Sequence, residues 1–282
     1  MASADNVIER AARAFAGVRG VESVVLGGSR ATGCAGAHSD IDIGIYYDAR
    51  EFDAEELRRR AAELDDARRA EAATEPGAWG PWINGGGWLT VDGFPVDILY
   101  RDIARTGAVI DDCLRGNITI DYQCGHPFGF VNSIYMGEAA CCVELFSASS
   151  RLREEKARLS PFPEVYRAAA IDKFLWECGF SLLCGKKALG RGDAVYAAGS
   201  LFRCAVSLFH VLYAANGMYM LNEKGALARL VKSGARMPEG FAEEVTAALS
   251  SCGGEHETSA FGKIERQYEN VCRMTGRDRP LY

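Results

Sequence analysis

The fold of this chain is decided by two stretches, Val24-Val25-Leu26-Gly27-Gly28-Ser29-Arg30 and Asp40-Ile41-Asp42-Ile43, with ten residues between Ser29 and Asp40. The apolar run predicts a buried strand, since β-branched residues favour strands. The glycines after it predict a tight turn, because glycine adopts backbone conformations closed to other residues. We expect this turn to open a short helix over residues 30–33, whose free N–H groups would suit phosphate oxygens.

The second part of the stretch predicts a strand over residues 41–47. Side chains alternate faces along a strand, so Asp40 and Asp42 are expected on one face and the isoleucines on the other. Two adjacent carboxylates repel each other, and a divalent cation between them would relieve that repulsion. A phosphate-binding turn beside paired metal carboxylates predicts nucleotide chemistry.

A third carboxylate lies in the apolar run of residues 94–100. Asp97 is expected to face away from the apolar side chains of that strand. An ionised carboxylate in such a place needs a partner. The sequence leaves two partners open: a nearby arginine (Arg101 or Arg105), or a metal ion shared with the first two carboxylates.

Composition narrows the class of protein. The 282 residues carry a net charge of −6, which disfavours a broad electrostatic grip on nucleic acid and better suits cationic small molecules. The polar amino terminus is unlike a secretory signal, and we expect no apolar run of membrane-spanning length and no membrane partner. The ten cysteines form no C-x-x-C pair, so we expect reduced thiols and a cytoplasmic protein.

The chain divides into an α/β front half, residues 1–155, and an all-α back half, residues 156–282. In the front half, Asp92-Gly93 predicts a hairpin between strands 88–91 and 94–100. Helices are expected there over residues 4–16, 53–73, 102–114 and, as the first choice for an ambiguous segment, 131–146. In the back half, helices are expected over residues 164–189, 193–216, 222–232, 238–250 and 255–274.

The spacing Gly28-Ser29-x10-Asp40-x-Asp42, with the later strand aspartate Asp97, resembles the nucleotidyltransferase superfamily that includes DNA polymerase β. The resembling part covers roughly residues 24–100. A catalytic domain followed by a helical bundle is similar in architecture to the antibiotic nucleotidyltransferases, which adenylylate aminoglycosides or lincosamides. The resemblance implies an α+β fold, in which a small mixed β-sheet with flanking helices precedes an all-α helical-bundle domain.

The resemblance also implies the roles of the site residues. Asp40, Asp42 and Asp97 would bind one or two Mg²⁺ ions. Gly28 and Ser29 would hold the β- and γ-phosphates of an NTP, with ATP as the expected nucleotide. The reaction would then move an NMP to a hydroxyl of a small-molecule acceptor, an aminoglycoside-like compound being one class, and release pyrophosphate.

Other candidates have two interpretations each. Arg30 would contact phosphate or pair with Asp40, and Lys187 would reach the triphosphate or offset a helix dipole. Glu138 is a candidate general base or a solvated glutamate. His38 is a candidate substrate contact or an exposed loop residue. The loop at residues 121–127 is a candidate lining of the acceptor pocket or a structural loop.

Two further functions stay open from the sequence. Arg203-x6-His210 resembles the motif of HEPN ribonucleases, which accompany minimal nucleotidyltransferases in toxin–antitoxin pairs, although a core helix explains the same pattern. A non-catalytic, nucleotide-binding regulatory module is the other. Trp79, Trp82 and Trp88 are interpreted as an acceptor wall, a homodimer contact or an outer layer of the sheet.

Overall fold

The computed structural model describes residues 3–36, 39–251 and 257–278. The chain forms two compact units. The first comprises Met1–Cys113 and Thr119–Pro161, and the second comprises Leu114–Ile118 and Phe162–Tyr282. The functional domain boundary that the sequence places after residue 155 stays a prediction.

The first unit is a five-stranded mixed sheet with flanking helices, as predicted. Its strand order is β3-β4-β2-β1-β7, with β2 and β4 parallel and the other neighbours antiparallel. A two-stranded sheet, β5-β6, lies apart from it. The elements in chain order are α1 (Ala4–Ala16), β1 (Val21–Leu26), α2 (Gly28–Ala31), β2 (Ile41–Tyr47), α3 (Ala54–Leu64), β3 (Gly86–Val91), β4 (Phe94–Asp102), α4 (Ile103–Leu114), β5 (Ile120–Asp121), β6 (Phe130–Val131), α5 (Ser133–Cys141), β7 (Val143–Ser147) and α6 (Arg151–Ala157).

One face of the large sheet is the core of this unit. Ile41, Ile43 and Ile45 of β2 are fully buried there, beside Val96 and Ile98 of β4. Helices α1 and α3 pack their apolar stripes against the same core. The alternation of side chains along each strand leaves the opposite face for polar groups, and that face carries the candidate site.

The predicted helix over residues 53–73 is wrong in length, because α3 ends at Leu64. The next residue, Asp65, has a fully buried side chain. Its carboxylate accepts hydrogen bonds from Nε and Nη2 of Arg69, at 2.9 and 2.8 Å, and from the backbone N–H of Thr90, at 2.9 Å. This carboxylate turns the chain toward β3, and the helix stops there.

The segment predicted as one helix over residues 131–146 is a helix followed by a strand. Helix α5 ends at Cys141, and β7 then pairs antiparallel with β1, with Ser147 opposite Ser23. Helix α6 was not predicted. The strand depends on pairing with β1, a long-range contact that the local sequence does not carry.

The second unit is all-α in the described residues, as predicted. Helix α8 packs along α7, and α11 packs on both of them and on α10. The helices are α7 (Glu164–Leu189), α8 (Ala194–Ala215), α9 (Ala226–Lys232), α10 (Phe241–Ser250) and α11 (Glu257–Thr275).

Among the residues that the structure describes, one helix is apolar and long enough to cross a membrane by length and composition alone. It is α8, of whose apolar window 67% is buried inside the protein. The expectation that no apolar run reaches this length is therefore wrong. A buried core helix passes the same test, so α8 is weak support for a membrane span.

The cysteines of the described residues are free thiols, nine in number. In the pair Cys141-Cys142, the second is buried, and burial raises the pKa of the Cys142 thiol to about 11. A thiol with such a pKa stays protonated near neutral pH, which favours packing over reactivity for this residue.

Candidate active site

The centre of the candidate site is a pair of carboxylates on neighbouring strands. Asp42 of β2 and Asp97 of β4 are direct partners in the parallel register, so their side chains leave the same face of the sheet. Neighbouring strands lie about 4.8 Å apart. Both side chains are partly exposed on the face opposite the isoleucine core. The structure thus brings together two of the three predicted carboxylates.

The glycine turn lies directly beside Asp42. The backbone N–H of Gly27 donates to the carbonyl oxygen of Asp42 at 2.8 Å, which extends the pairing of β1 with β2. Gly28 has a φ of +57°, and a Cβ atom on it would lie 1.8 Å from Oδ2 of Asp42. Glycine is therefore required twice, for the backbone conformation and for the space that the carboxylate fills. Helix α2 begins at this glycine and not, as predicted, at Arg30.

Arg30 holds the loop that leads into β2. Its Nε donates to the carbonyl oxygen of Asp40 at 3.1 Å, and its Nη2 donates to that of Ser39 at 2.7 Å. The arginine thus binds the backbone of Asp40 and not its carboxylate. Asp40 itself is exposed and precedes the first residue of the strand. His38 lies outside the described residues.

Within residues 3–36, 39–251 and 257–278, no three His, Cys, Asp or Glu side chains are grouped as a metal site. Asp40 is therefore not assembled with Asp42 and Asp97. Magnesium sites in nucleotide enzymes commonly use one or two protein carboxylates and take their other ligands from phosphates and water. The paired aspartates, with a glycine turn that leaves room for the carboxylate, fit a magnesium ion of that kind.

Glu138 lies toward the other end of the same sheet face. Arg101 of β4, which is nearly fully buried, donates from Nε and Nη2 to the two carboxylate oxygens of Glu138, at 2.6 and 2.7 Å. Arg101 lies four residues beyond Asp97, which is about 13 Å along a strand. A carboxylate held by both oxygens is a poor proton acceptor. Arg101 thus has a partner other than Asp97, and the predicted base is not brought to the aspartate pair.

Tyr46 lies opposite Arg101 in the register of β2 and β4. Its side chain is buried, and burial raises the pKa of the Tyr46 hydroxyl well above its ordinary value. This end of the face is therefore a closed structural cluster with a neutral tyrosine. The open end is the one that carries Asp42 and Asp97.

A loop with two of the tryptophans, residues 79–83, is fastened over the sheet by three side chains. Gln123 donates from Nε2 to the carbonyl oxygen of Trp79 at 2.6 Å, and the Tyr135 hydroxyl donates to that of Trp82 at 2.7 Å. Nη1 of Arg101 donates to the carbonyl oxygen of Ile83 at 2.9 Å. The loop at residues 121–127, predicted to line an acceptor pocket, thus contributes Gln123 as the anchor of another loop.

The tryptophans have different environments. Trp82 packs on Phe130, with ring centroids 5.3 Å apart, and belongs to the structural cluster. Trp88 is the strand partner of Asp97 and is 60% exposed. Its ring stacks on Trp79, with centroids 4.4 Å apart. Trp82 is partly buried, so of the three interpretations that the sequence left open, packing in an outer layer describes Trp82 but not the exposed Trp88.

The remaining predicted residues lie in the second unit. Lys187 is exposed in the last turn of α7, and its role toward the triphosphate stays a prediction. Arg203 forms an ion pair with Glu177, its Nη2 lying 2.8 Å from Oε2. His210 is buried and stacks on Phe174, with ring centroids 4.1 Å apart. Burial lowers the pKa of His210 to about 3, so this imidazole is neutral near pH 7 and does not support the ribonuclease alternative.

Comparison with known proteins agrees with the motif. Residues 6–79 match the family model of the nucleotidyltransferase domain, a range that includes the glycine turn and β2. No curated protein matches the chain. A solved nucleotidyltransferase-like protein from Exiguobacterium sibiricum 255-15 is 11% identical, with a TM-score of 0.44, over 97% of this chain and 82% of that one. Residues 6–79 are thus similar to the nucleotidyltransferase domain, as the spacing of Gly28, Ser29, Asp40 and Asp42 predicted for the nucleotidyltransferase superfamily.

Proposed function

We propose that this protein moves an NMP from an NTP, with ATP as the nucleotide, to a hydroxyl of a small-molecule acceptor and releases pyrophosphate. The observation that carries the proposal is the in-register pair of Asp42 and Asp97 beside the turn at Gly28. The match to the nucleotidyltransferase domain supports nucleotidyl transfer in general. The family match does not specify the acceptor, the nucleotide or the need for magnesium, and we propose these three.

The residues have distinct tasks in this reaction. Backbone N–H groups at Gly28 and Ser29 hold the β- and γ-phosphates, and Asp42 and Asp97 are the residues that would hold Mg²⁺. The ion, when bound, supplies positive charge against the phosphates and makes a nearby hydroxyl more acidic. The acceptor oxygen forms a bond to the α-phosphorus while the bond to the β-phosphate oxygen breaks. In this proposal Asp97, one strand further from the glycine turn than Asp42, takes the hydroxyl proton.

A small acceptor agrees with the charge of the chain. Its net charge of −6 disfavours a nucleic-acid acceptor, which would need a basic surface along its backbone. The same charge attracts cationic compounds such as amino-substituted sugars.

The test is a pyrophosphate-release assay with ATP, Mg²⁺ and a panel of small hydroxyl compounds. Asp42→Asn and Asp97→Asn should each lower the rate at least about 100-fold, because a carboxylate at the metal is worth several kcal/mol in the transition state. The matched control is Glu51→Gln, an exposed acid of the same unit, which should retain the wild-type rate. Full activity in Asp42→Asn would overturn the assignment.

Calorimetry with Mg-ATP separates the remaining alternatives. Binding without transfer to any compound of the panel would identify a nucleotide-binding regulatory module. A wild-type protein that does not bind Mg-ATP would contradict both that function and transfer. We expect Mg-ATP to bind the wild type and to bind both asparagine variants more weakly.

Asp40 has its own place in the proposal. We propose it as a third ligand on the basis of its spacing from Asp42, although it is exposed and not grouped with the pair. If it joins the site when nucleotide is present, Asp40→Asn should lose activity as severely as Asp42→Asn. A variant with wild-type activity would restrict the site to two carboxylates.

A further inference from the structure

The parts of the proposed site follow one another across the sheet. Trp88 of β3 pairs with Asp97 of β4, Asp97 pairs with Asp42 of β2, and Gly27 at the end of β1 bonds to Asp42. Paired residues on adjacent strands share a face, so the order from edge to centre is tryptophan, carboxylate, carboxylate, glycine turn. Each step is about 4.8 Å.

This order decides on which side an acceptor would enter. In phosphoryl and nucleotidyl transfer, the attacking and leaving oxygens lie roughly in line through the phosphorus. If the glycine turn holds the leaving pyrophosphate, as the proposed function states, the attacking hydroxyl comes from the opposite side. That side is occupied by Asp97 and then Trp88.

The aromatic group on that side is preformed. Trp88 is 60% exposed, yet its ring is stacked on Trp79 at 4.4 Å with an interplanar angle of 26°. Trp79 has room above the sheet because Gly86 has no side chain: a Cβ there would lie 2.9 Å from the Trp79 ring and 1.8 Å from the carbonyl oxygen of Ile98. Gln123 fixes the backbone of Trp79. An exposed but rigid indole loses little conformational freedom when a ligand covers it.

We propose that Trp88, supported by Trp79, is the platform on which the acceptor binds, and that the acceptor presents a ring with a flat apolar face, as an amino sugar or an aminocyclitol does. This inference rests on the proposed function and adds the side of entry and the side chain that the acceptor ring covers. The C–H face of such a ring covers the indole, and an amino group near it gains a cation–π contact. The ring then places one hydroxyl near Asp97.

The test compares Trp88→Leu with Trp176→Leu in the transfer assay. Trp176 is the matched control, because it is 45% exposed and stacked on Phe180 at 5.1 Å, but lies on α7 in the other unit. Trp88→Leu should raise the KM for a ring acceptor about tenfold, while the KM for ATP stays within about twofold. Trp88→Phe, which keeps an aromatic face, should recover part of the loss.

Two results in that assay would overturn the platform. One is an unchanged acceptor KM in Trp88→Leu. The other is an equal rise in the KM values for ATP and acceptor, which would assign the tryptophan to the nucleotide. Thermal unfolding of each variant shows whether the fold is retained.

A second measurement does not depend on transfer. Amino sugars and aminocyclitols should quench the tryptophan fluorescence of the wild type and of Trp176→Leu, but not that of Trp88→Leu. Acyclic polyols of equal hydroxyl number are the ligand control. Quenching without transfer would retain the platform and contradict the proposed function. Absence of quenching by every ring compound, or quenching that persists in Trp88→Leu, would contradict the platform.

Discussion

Gly28 and Asp42 occupy each other's space: a Cβ atom on the glycine would lie 1.8 Å from Oδ2 of the aspartate and 2.5 Å from its Cγ. No side chain, however small, fits at residue 28 while Asp42 keeps its position. Gly28 and the carboxylate of Asp42 are therefore in direct steric contact, and a substitution at either residue should displace the other.

Gly28→Ala should remove most transfer activity, at least about 100-fold, because the new methyl group displaces the Asp42 carboxylate. Gly33→Ala is the matched control. Gly33 has a similar positive φ of +68°, but its Cβ would meet no atom within 4 Å. Both variants strain the backbone by about 1 kcal/mol, and Gly28→Ala should lose more stability in urea unfolding because only its methyl group meets Asp42. Equal activity in the two variants would contradict the steric link.

Glu138→Gln should lower stability rather than chemistry. It leaves the buried guanidinium of Arg101 without its charged partner, and we expect a loss of about 1–3 kcal/mol in the free energy of unfolding. Arg101→Lys, which keeps the charge but loses the fork, should show a similar loss. The rate measured well below the unfolding temperature should stay within about threefold of wild type. A stable Glu138→Gln variant with a large loss of kcat would restore Glu138 as the base.

His210 should make the protein less stable in acid. Burial lowers its pKa to about 3 from an ordinary value of 6.5, so the folded state excludes a proton that the unfolded state binds between these values. Its contribution is complete above pH 6.5 and is lost as the pH falls toward 3. The slope is at most about 1.4 kcal/mol per pH unit.

Urea unfolding at pH 7 and pH 4.5 checks this prediction. His210→Phe keeps an aromatic ring against Phe174. In this variant, the difference in the free energy of unfolding between pH 7 and pH 4.5 should be smaller than in the wild type. An unchanged difference would show that this histidine does not titrate on unfolding. RNA cleavage that depends on His210 would revive the ribonuclease alternative.

Asp65→Ala should destabilise the first unit by about 3 kcal/mol, because the backbone N–H of Thr90 and the guanidinium of Arg69 both lose their acceptor. Glu63→Ala, in the last turn of α3, is the control. It removes an exposed ion pair with Arg59 and should change stability by no more than about 0.5 kcal/mol. Thermal or urea unfolding measures both. A similar effect for the two would mean that burial of Asp65 contributes nothing.

Local patterns were sufficient for much of this fold. Strand β2, helices α1 and α7 and the Asp92-Gly93 hairpin lie where the sequence predicts them, since each depends on periodicity or turn residues within its own span. The same holds for the position of Asp42, which follows from alternation along β2.

Longer-range contacts account for the errors. The end of α3 depends on an acceptor for Thr90, which lies 25 residues away from Asp65. Strand β7 exists because it pairs with β1, more than 100 residues earlier. The partnership of Arg101 with Glu138, and of Trp88 with Asp97, also requires the assembled sheet. Sequence spacing identified these side chains but could not assign their neighbours.

The parallel pairing of β2 with β4 determines when the site forms during folding. The contact of Asp42 with Asp97 closes a loop of 55 residues, whereas β3 and β4 are joined by a two-residue hairpin turn. Local pairings form early, and contacts that close long loops pay their entropy later. We therefore expect the β3–β4 hairpin, which carries Trp88, to form before Asp42 and Asp97 come together. Nucleotide binding would then require, and report, complete folding of the first unit.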